Sequence, residues 1–186
     1  CRDMLIFDAN GHDGLEVAIN LSFKQLQDNM FVDTATRIIE QSGVDATRLE
    51  FELTETAIMS NYQQTYDGMM ALSQLGVTFS LDDFGTGFST FDYLKQIPAQ
   101  SVKIDGSFVV DLATNTVDLA LVKAIYEVAS ALDKKTVAEF VENEETLLIL
   151  QEIGVNYAQG YHLGKPMPIE QCTIANELKA QLKELI

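Results

Sequence analysis

Short apolar segments alternate along this chain with longer segments in which apolar residues recur at helical spacing. Short runs rich in Val, Ile, Leu and Phe favour buried strands, whereas a repeat near 3.6 residues favours helices. Six segments have the strand pattern. They are Glu16–Asn20, Leu49–Leu53, Val77–Leu81, Ser101–Ile104, Thr136–Glu139 and Val155–Ala158.

Helical segments lie between and after these strands, and polar caps or glycines mark their ends. Side-chain oxygens accept hydrogen bonds from the first amides of a helix, and glycine adopts the left-handed conformation that ends one. Asn61, Thr116 and Asn143 are the predicted N-caps, and Gly43 and Gly154 each follow a helix. The predicted helices are Phe31–Gln41, Tyr62–Leu75, Val117–Leu132, Glu144–Ile153 and Ile169–Leu185.

The alternation of strands and helices predicts an α/β fold with parallel strands and right-handed crossovers. A doubly wound sheet and a TIM-like (β/α)8 barrel both fit this order. A barrel gathers the C-terminal ends of its strands around one mouth, whereas a doubly wound sheet favours a G-x-G-x-x-G loop, which the sequence lacks. A polar residue lies at or next to the C-terminal end of each predicted strand, which favours the barrel. These residues are Asn20, Glu52, Asp82, Lys103, Glu139 and Gln159.

The number of βα units is too small for a closed barrel. About six units are recognisable, where a complete barrel has eight, and residues 1–7 are typical of the end of a helix. We therefore expect residues 1–186 to form a single, N-terminally truncated domain. Its first units are either cut from the sequence or supplied by another chain, and we expect the truncated chain to be inactive by itself.

Composition and charge limit the function classes. With 47% hydrophobic and 22% charged residues, the 186-residue chain is globular rather than disordered. It has no membrane-length apolar run and no secretory signal, and its two cysteines suit a reducing cytoplasm. A net charge of −16 argues against a nucleic-acid polymer as partner. An acidic protein that acts on a phosphate compound would recruit positive charge from metal ions.

The motif Asp82-Asp83-Phe84-Gly85-Thr86-Gly87 follows a predicted strand directly. Adjacent carboxylates at the end of a buried strand are costly without a compensating cation, and Gly85 and Gly87 let the backbone turn close to a ligand. The motif indicates a divalent-metal site that faces a phosphorylated substrate. In isolation, the same motif would more often be a solvated acidic turn.

Other strand ends favour the metal interpretation. Hard cations such as Mg²⁺ prefer oxygen ligands, which Asn20, Glu52, Asp82 and Asp83 supply, with Asp82 placed to bridge two ions. Lys103 ends an otherwise apolar strand. A surface lysine whose stem is buried would have the same pattern. Beside four metal-type ligands, a partner for phosphate or for a metal-bound water is the better interpretation.

The last two predicted strands contribute further candidates. Glu139 lies within its strand pattern, and the Gln159 amide could orient water or substrate. Asp105 and Glu142 are secondary candidates, although Glu142 could simply cap the next helix. A lone histidine in a loop is more often incidental than catalytic, so His162 receives no role.

Taken together, these motifs resemble those of the EAL-domain family, bacterial phosphodiesterases that cleave cyclic di-GMP. The resemblance covers nearly the whole chain in order, and the family fold is a modified TIM barrel whose first strand is antiparallel to the rest. The segments that carry it are Asn20-Leu21-Ser22, Glu52-Leu53-Thr54-Glu55, Asp82-Asp83-Phe84-Gly85-Thr86-Gly87, Lys103-Ile104-Asp105, Ala138-Glu139-Phe140-Val141-Glu142 and Gln159-Gly160-Tyr161.

The resemblance implies two Mg²⁺ or Mn²⁺ ions. Asn20, Glu52 and Asp82 would hold the first, and Asp82 and Asp83 would share the second. The implied reaction is in-line hydrolysis of one phosphodiester, which opens cyclic di-GMP to linear pGpG by two-metal chemistry.

The resemblance also implies roles outside the metal ligands. Lys103 would contact the attacking water or the phosphate, Glu139 would act as base or second-metal partner, and Gln159 would help to position the nucleophile. Glu55 would brace the loop from Asp83 to Phe88, which couples metal binding to dimerisation in this family, so a homodimer is implied.

Two features depart from the family pattern. The Glu-Ala-Leu strand, which carries a metal-binding glutamate and a phosphate-binding arginine, would lie upstream of Cys1. Phe140 stands where many members have glycine, a variant similar to that of large sensor proteins in which an EAL domain follows a GGDEF domain. We expect a similar parent, with this domain in the cytoplasm and without membrane contact.

Two other functions remain open. A catalytically silent receptor for cyclic di-GMP would have the same fold, but it would be expected to have lost metal ligands. An enolase-type barrel would also combine a lysine base with carboxylate-bound Mg²⁺. The paired aspartates and the glycine loop favour the phosphodiesterase.

Overall fold

The computed structural model describes residues 1–9, 14–22, 24–25, 28, 30–86 and 91–167. Gly87 and the predicted helix Ile169–Leu185 lie outside these residues. The strands are β1 (Val17–Asn20), β2 (Leu49–Thr54), β3 (Thr78–Phe84), β4 (Ser101–Ile104), β5 (Lys135–Ala138) and β6 (Tyr157–Ala158). The helices are α1 (Arg2–Ala9), α2 (Phe31–Ser42), α3 (Glu55–Ser60), α4 (Tyr62–Ser73), α5 (Phe91–Leu94), α6 (Thr116–Ala131) and α7 (Glu144–Ile153), with 3₁₀ turns at Ala46–Arg48 and Gly106–Phe108.

The six described strands form one sheet whose spatial order is the sequence order. Every neighbouring pair is parallel. A doubly wound sheet reverses direction at a switch point, whereas a barrel wall adds each strand beside the previous one. The predicted barrel-type α/β fold is therefore confirmed. Among the described residues, no helix is long and apolar enough to cross a membrane.

The two faces of the sheet differ in chemistry. On β2, Leu49, Phe51 and Leu53 are buried on the helix-covered face. Glu50 and Glu52 alternate with them and point to the opposite, inner face, because successive side chains of a strand point to opposite sides. The inner face thus carries polar side chains towards the mouth.

Several element ends differ from the prediction. Strand β5 ends at Ala138, so Glu139 lies just beyond it, although its N–H still donates to the Ile104 carbonyl at 3.3 Å. Helix α6 begins at Thr116 and is capped by Asn115, whose side chain accepts from the Val117 amide at 3.0 Å. Asn115 has the stronger N-cap preference.

Helix α3 was not predicted. With the residues Glu55–Ser60 it is too short to show a helical period, and it begins immediately after β2. Its N-cap is Thr54, whose hydroxyl accepts from the Ala57 amide at 3.3 Å. The helix packs against β2 and β3, which places Glu55 near the C-terminal end of the sheet.

An arginine fastens the first helix to the sheet. Arg48 donates to both carboxylate oxygens of Asp8 at 2.9 Å and to the Leu15 carbonyl at 2.7 Å. The hydrogen bond from Arg48 lowers the pKa of Asp8 below its usual value. Arg48, which lies just before β2, thus holds both α1 and the segment that precedes β1 in place.

Candidate metal centre

A nearly buried lysine lies among three carboxylates at the C-terminal ends of the strands. The Lys103 Nζ atom is 2.8 Å from Asp82, 2.9 Å from Glu139 and 3.2 Å from Glu52. The lysine side chain is 6% exposed, and the three acids are 9–14% exposed. The contact with Asp82 Oδ1 is an ion pair. One cation therefore links the ends of β2, β3, β4 and β5.

A second grouping consists of carboxylates alone. Oxygen atoms of Asp82, Asp83 and Glu139 all lie within 4.8 Å of one another. Carboxylate oxygens at such separations suit a hard divalent cation, with water completing its coordination. The donor set of this chain thus fits the Mg²⁺ or Mn²⁺ expected from the sequence, without distinguishing between them.

The backbone of β3 explains how two successive aspartates reach one site. Neighbouring residues of a regular strand point to opposite faces. Here the pairing with β4 is irregular between Leu81 and Phe84, and Asp83 adopts a left-handed φ of 54°. This bend brings Asp83, which remains exposed, to the same side as Asp82.

Electrostatics distinguishes the lysine from its partners. Burial alone would lower the pKa of Lys103, but hydrogen bonds and negative charge from Asp82 and Glu139 raise it above its ordinary value. Burial raises the pKa of Glu139, and the charges of Asp82 and Asp83 add to this effect, against the influence of Lys103. Burial and the charges of Asp82 and Asp105 also raise the pKa of Asp83. The site therefore holds a firmly protonated lysine beside carboxylates that attract protons or cations.

The remaining predicted site residues differ in how they contact this centre. Gln159 donates to Glu139 Oε1 at 2.8 Å and so fixes the oxygen that also contacts the lysine. Asp105 caps the 3₁₀ turn by accepting from the Ser107 amide at 2.9 Å. Asn20 is exposed and is the strand partner of Glu52. Glu142 is exposed and lines a neighbouring cavity.

The predicted loop-supporting residues flank the aspartates. Glu55 is 6% exposed, and burial together with the charge of Glu55 raises the pKa of Tyr93, a buried residue of α5. Gly85 has a φ of 101°, and a Cβ there would come within 2.8 Å of the Phe108 ring. Both the conformation and the close contact favour glycine at this position.

A cavity of about 600 Å³ adjoins the acidic centre and was not predicted from the sequence. Exposed aromatic rings, Phe140 and Tyr161, line it, and the Lys165 ammonium lies 5.3 Å from the centre of the Tyr161 ring. Aromatic faces and a cation suit a flat, electron-rich ligand. The sequence signal was the pair of aromatic residues that each follow a predicted site residue, Glu139 and Gln159, by one or two positions.

Comparison with known proteins relates this arrangement to one family. The model of the EAL domain family matches residues 1–166. Cyclic di-GMP phosphodiesterase PdeB of Shewanella oneidensis is 42% identical over 153 residues, which are 82% of this chain and 18% of PdeB. Cyclic di-GMP phosphodiesterase NbdA of Pseudomonas aeruginosa is 38% identical over 169 residues, 91% of this chain and 22% of NbdA. The chain spans about a fifth of the length of these relatives.

Solved structures agree with the family match. The PaMucR phosphodiesterase in complex with c-di-GMP superposes with a TM-score of 0.87 at 38% identity, covering 92% of this chain and 69% of the solved chain. The EAL domain of Mycobacterium smegmatis DcpA gives a TM-score of 0.85 at 32% identity, covering 97% and 79%.

Proposed function

The chain belongs to the EAL domain family, and we propose that it hydrolyses cyclic di-GMP to linear pGpG in a metal-dependent reaction. The observation that carries this proposal is the cluster in which Lys103 contacts Glu52, Asp82 and Glu139. A receptor without activity would not need to maintain such a costly set of partly buried charges. The match to relatives and structures named for cyclic di-GMP supports the choice of substrate.

The carboxylates and the amide at the strand ends are the groups that would hold the ions. Asp82, Asp83 and Glu139 supply one close group of oxygens, and Glu52 of β2, with its strand partner Asn20 of β1, would supply further ligands. Bound Mg²⁺ or Mn²⁺ would supply Lewis-acid activation of water and neutralise charge on the phosphoryl group.

The side chains then have distinct tasks in the proposed reaction. Water attacks phosphorus, a new P–O bond forms, and the P–O bond to the ribose oxygen breaks. Glu139 would accept the proton of the water. Gln159 holds the orientation of Glu139, and the Lys103 ammonium stabilises negative charge on the phosphate. The leaving oxygen takes a proton from solvent.

The neighbouring cavity fits a base of the substrate. Guanine is flat and aromatic, and Phe140 and Tyr161 offer ring faces beside the acidic centre. Stacking of this kind would place one nucleotide while the phosphodiester faces Lys103 and the carboxylates.

Three broader proposals accompany this function. We expect a homodimer, which the exposed apolar side chains of Val110, Val117 and Leu121 support. We also expect a cytoplasmic domain, joined in its parent protein to upstream GGDEF and sensor domains. Sedimentation of the natural-length protein, with and without Mg²⁺, tests the dimer, and a monomer under both conditions would refute it.

The function is tested by chromatographic detection of pGpG. The protein at its natural length is incubated with cyclic di-GMP and Mg²⁺, with Mn²⁺, or with EDTA. Cleavage that requires a divalent ion is expected. Tight binding of cyclic di-GMP without any cleavage would instead identify a silent receptor.

A further inference from the structure

Phe140 has an unusual backbone conformation for a large side chain. Its φ is 55°, in the left-handed region that glycine adopts without cost, and the residue is 58% exposed. Neither burial of the ring in the core nor backbone preference explains this combination. A strained residue next to a functional acid, here Glu139, points to a local constraint.

The ring of Phe140 is seated on Gly106. A Cβ at Gly106 would come within 2.9 Å of the Phe140 Cβ and closer still to the ring. Gly106 has an ordinary backbone conformation, since it is not among the glycines with positive φ. Space for Phe140, rather than conformational freedom, is therefore what requires glycine at position 106.

This contact continues the pairing of two strands beyond their ends. Ile104 of β4 is in register with Ala138 of β5, and the Glu139 amide donates to the Ile104 carbonyl. Phe140 follows Glu139, and Gly106 comes two residues after Ile104. The contact between Phe140 and Gly106 therefore lies directly beyond the last backbone hydrogen bond between the two strands, which is the one donated by Glu139.

The turn at Phe140 also links Glu139 to the last strand. Beyond Phe140, the Val141 amide donates to the Gln159 carbonyl at 3.0 Å. The side-chain amide of Gln159 in turn donates to the Glu139 carboxylate at 2.8 Å. Glu139 is therefore held between a strand pairing on one side and this link to Gln159 on the other.

We propose that the contact between Phe140 and Gly106 positions Glu139 for metal binding, so that Phe140 is a positioning residue for the reaction. This inference rests on the proposed function. The ring holds the backbone in its left-handed turn, and the turn keeps the Glu139 carboxylate directed at Asp82, Asp83 and Lys103. A glycine at position 140 would adopt the turn without strain, but it would leave the turn unanchored.

A double-mutant cycle in the natural-length protein tests the proposal. The variants are Phe140→Gly, Gly106→Ala and the two combined, and the primary measurement is the Mg²⁺ dissociation constant by calorimetry. We expect Gly106→Ala to weaken Mg²⁺ binding about fivefold or more in the Phe140 protein, because the new methyl group displaces the ring. In the Phe140→Gly protein the same change should alter binding less than about twofold, because the ring is absent.

A second measurement separates positioning from damage to the fold. Asp133 has a φ of 56° on an exposed turn at the opposite end of β5, so Asp133→Gly is a matched control for relief of backbone strain. Neither glycine variant should lower the melting temperature appreciably, and only Phe140→Gly should weaken Mg²⁺ binding.

The outcomes distinguish the proposal from the function on which it rests. If the unsubstituted protein neither binds Mg²⁺ nor cleaves cyclic di-GMP, the proposed function fails. If it does both but Gly106→Ala has the same effect with and without Phe140, the positioning role is wrong. A change confined to KM for cyclic di-GMP, with unaltered Mg²⁺ binding, would likewise overturn it and leave Phe140 as a substrate contact only.

Discussion

Replacement of Lys103 by methionine removes a cation shared by three carboxylates while keeping an unbranched side chain of similar length. Removing one partner of a buried ion pair typically costs about 3–5 kcal/mol, because the remaining charge stays buried without compensation. The acids here are 9–14% exposed, so water relieves part of the penalty. We therefore expect a loss near the lower limit, about 3 kcal/mol, for the metal-free protein at pH 7.

The loss should depend on pH and on metal. The pKa of Lys103 is raised in the folded protein, so its contribution is fully present below the unfolded pKa of 10.5 and is lost only as pH rises through the folded value. At low pH the stability difference between the Lys103→Met variant and the parent should become smaller, because protonation of Glu139 removes one of the charges that Lys103 compensates. Addition of Mg²⁺ should also reduce the difference.

Urea unfolding of the natural-length protein in EDTA measures this loss. Lys123→Met on the exposed surface of α6 is a suitable control and should change the free energy of unfolding by no more than about 0.5 kcal/mol. If Lys103→Met costs less than about 1 kcal/mol in EDTA, the lysine does not compensate the carboxylates as described.

Three further changes probe the same structure. Asp82→Asn should reduce hydrolysis by orders of magnitude with the fold intact, and turnover within a few-fold of the parent would refute the metal assignment. The melting temperature should rise with Mg²⁺ and fall with EDTA. Mg²⁺ at a hundredfold excess over its dissociation constant should raise the free energy of unfolding by on the order of 2.7 kcal/mol. A melting temperature that responds to neither would mean that the acids bind no metal. Asp8→Asn should lower stability at pH 7, and the difference should vanish as pH falls from 3.8 through the lowered folded pKa of Asp8. A difference that persists at acid pH would exclude the Arg48 pair as its cause.

The sequence was sufficient to predict the barrel wall and most of its polar mouth. Parallel strands with consecutive order place their C-terminal residues together, so Glu52, Asp82 and Lys103 could be assigned to one site from strand position alone. Gln159 beside Glu139 follows from the same argument. These assignments depend only on element order and on the two-residue period of a strand.

The features that the sequence did not predict depend on local backbone geometry. The motif predicted that Asp82 and Asp83 share one metal site, but it did not predict the backbone geometry that brings them together, which is the irregular pairing with β4 and the left-handed φ of Asp83. Hydrophobic periodicity likewise does not predict the contact between Phe140 and Gly106. Helix α3 is a similar case, because its six residues contain too few turns to reveal a period.

The charge of the centre bears on how many ions it takes. Lys103 contacts three carboxylates, and Asp83 lies beside two of them, so the four carboxylates and one ammonium group together carry a net charge of three negative units when ionised. One divalent ion would leave a negative site, which would repel an anionic phosphodiester. Two divalent ions would leave a single positive charge, which matches the charge of one phosphodiester group. On this count we expect two ions when the substrate is bound.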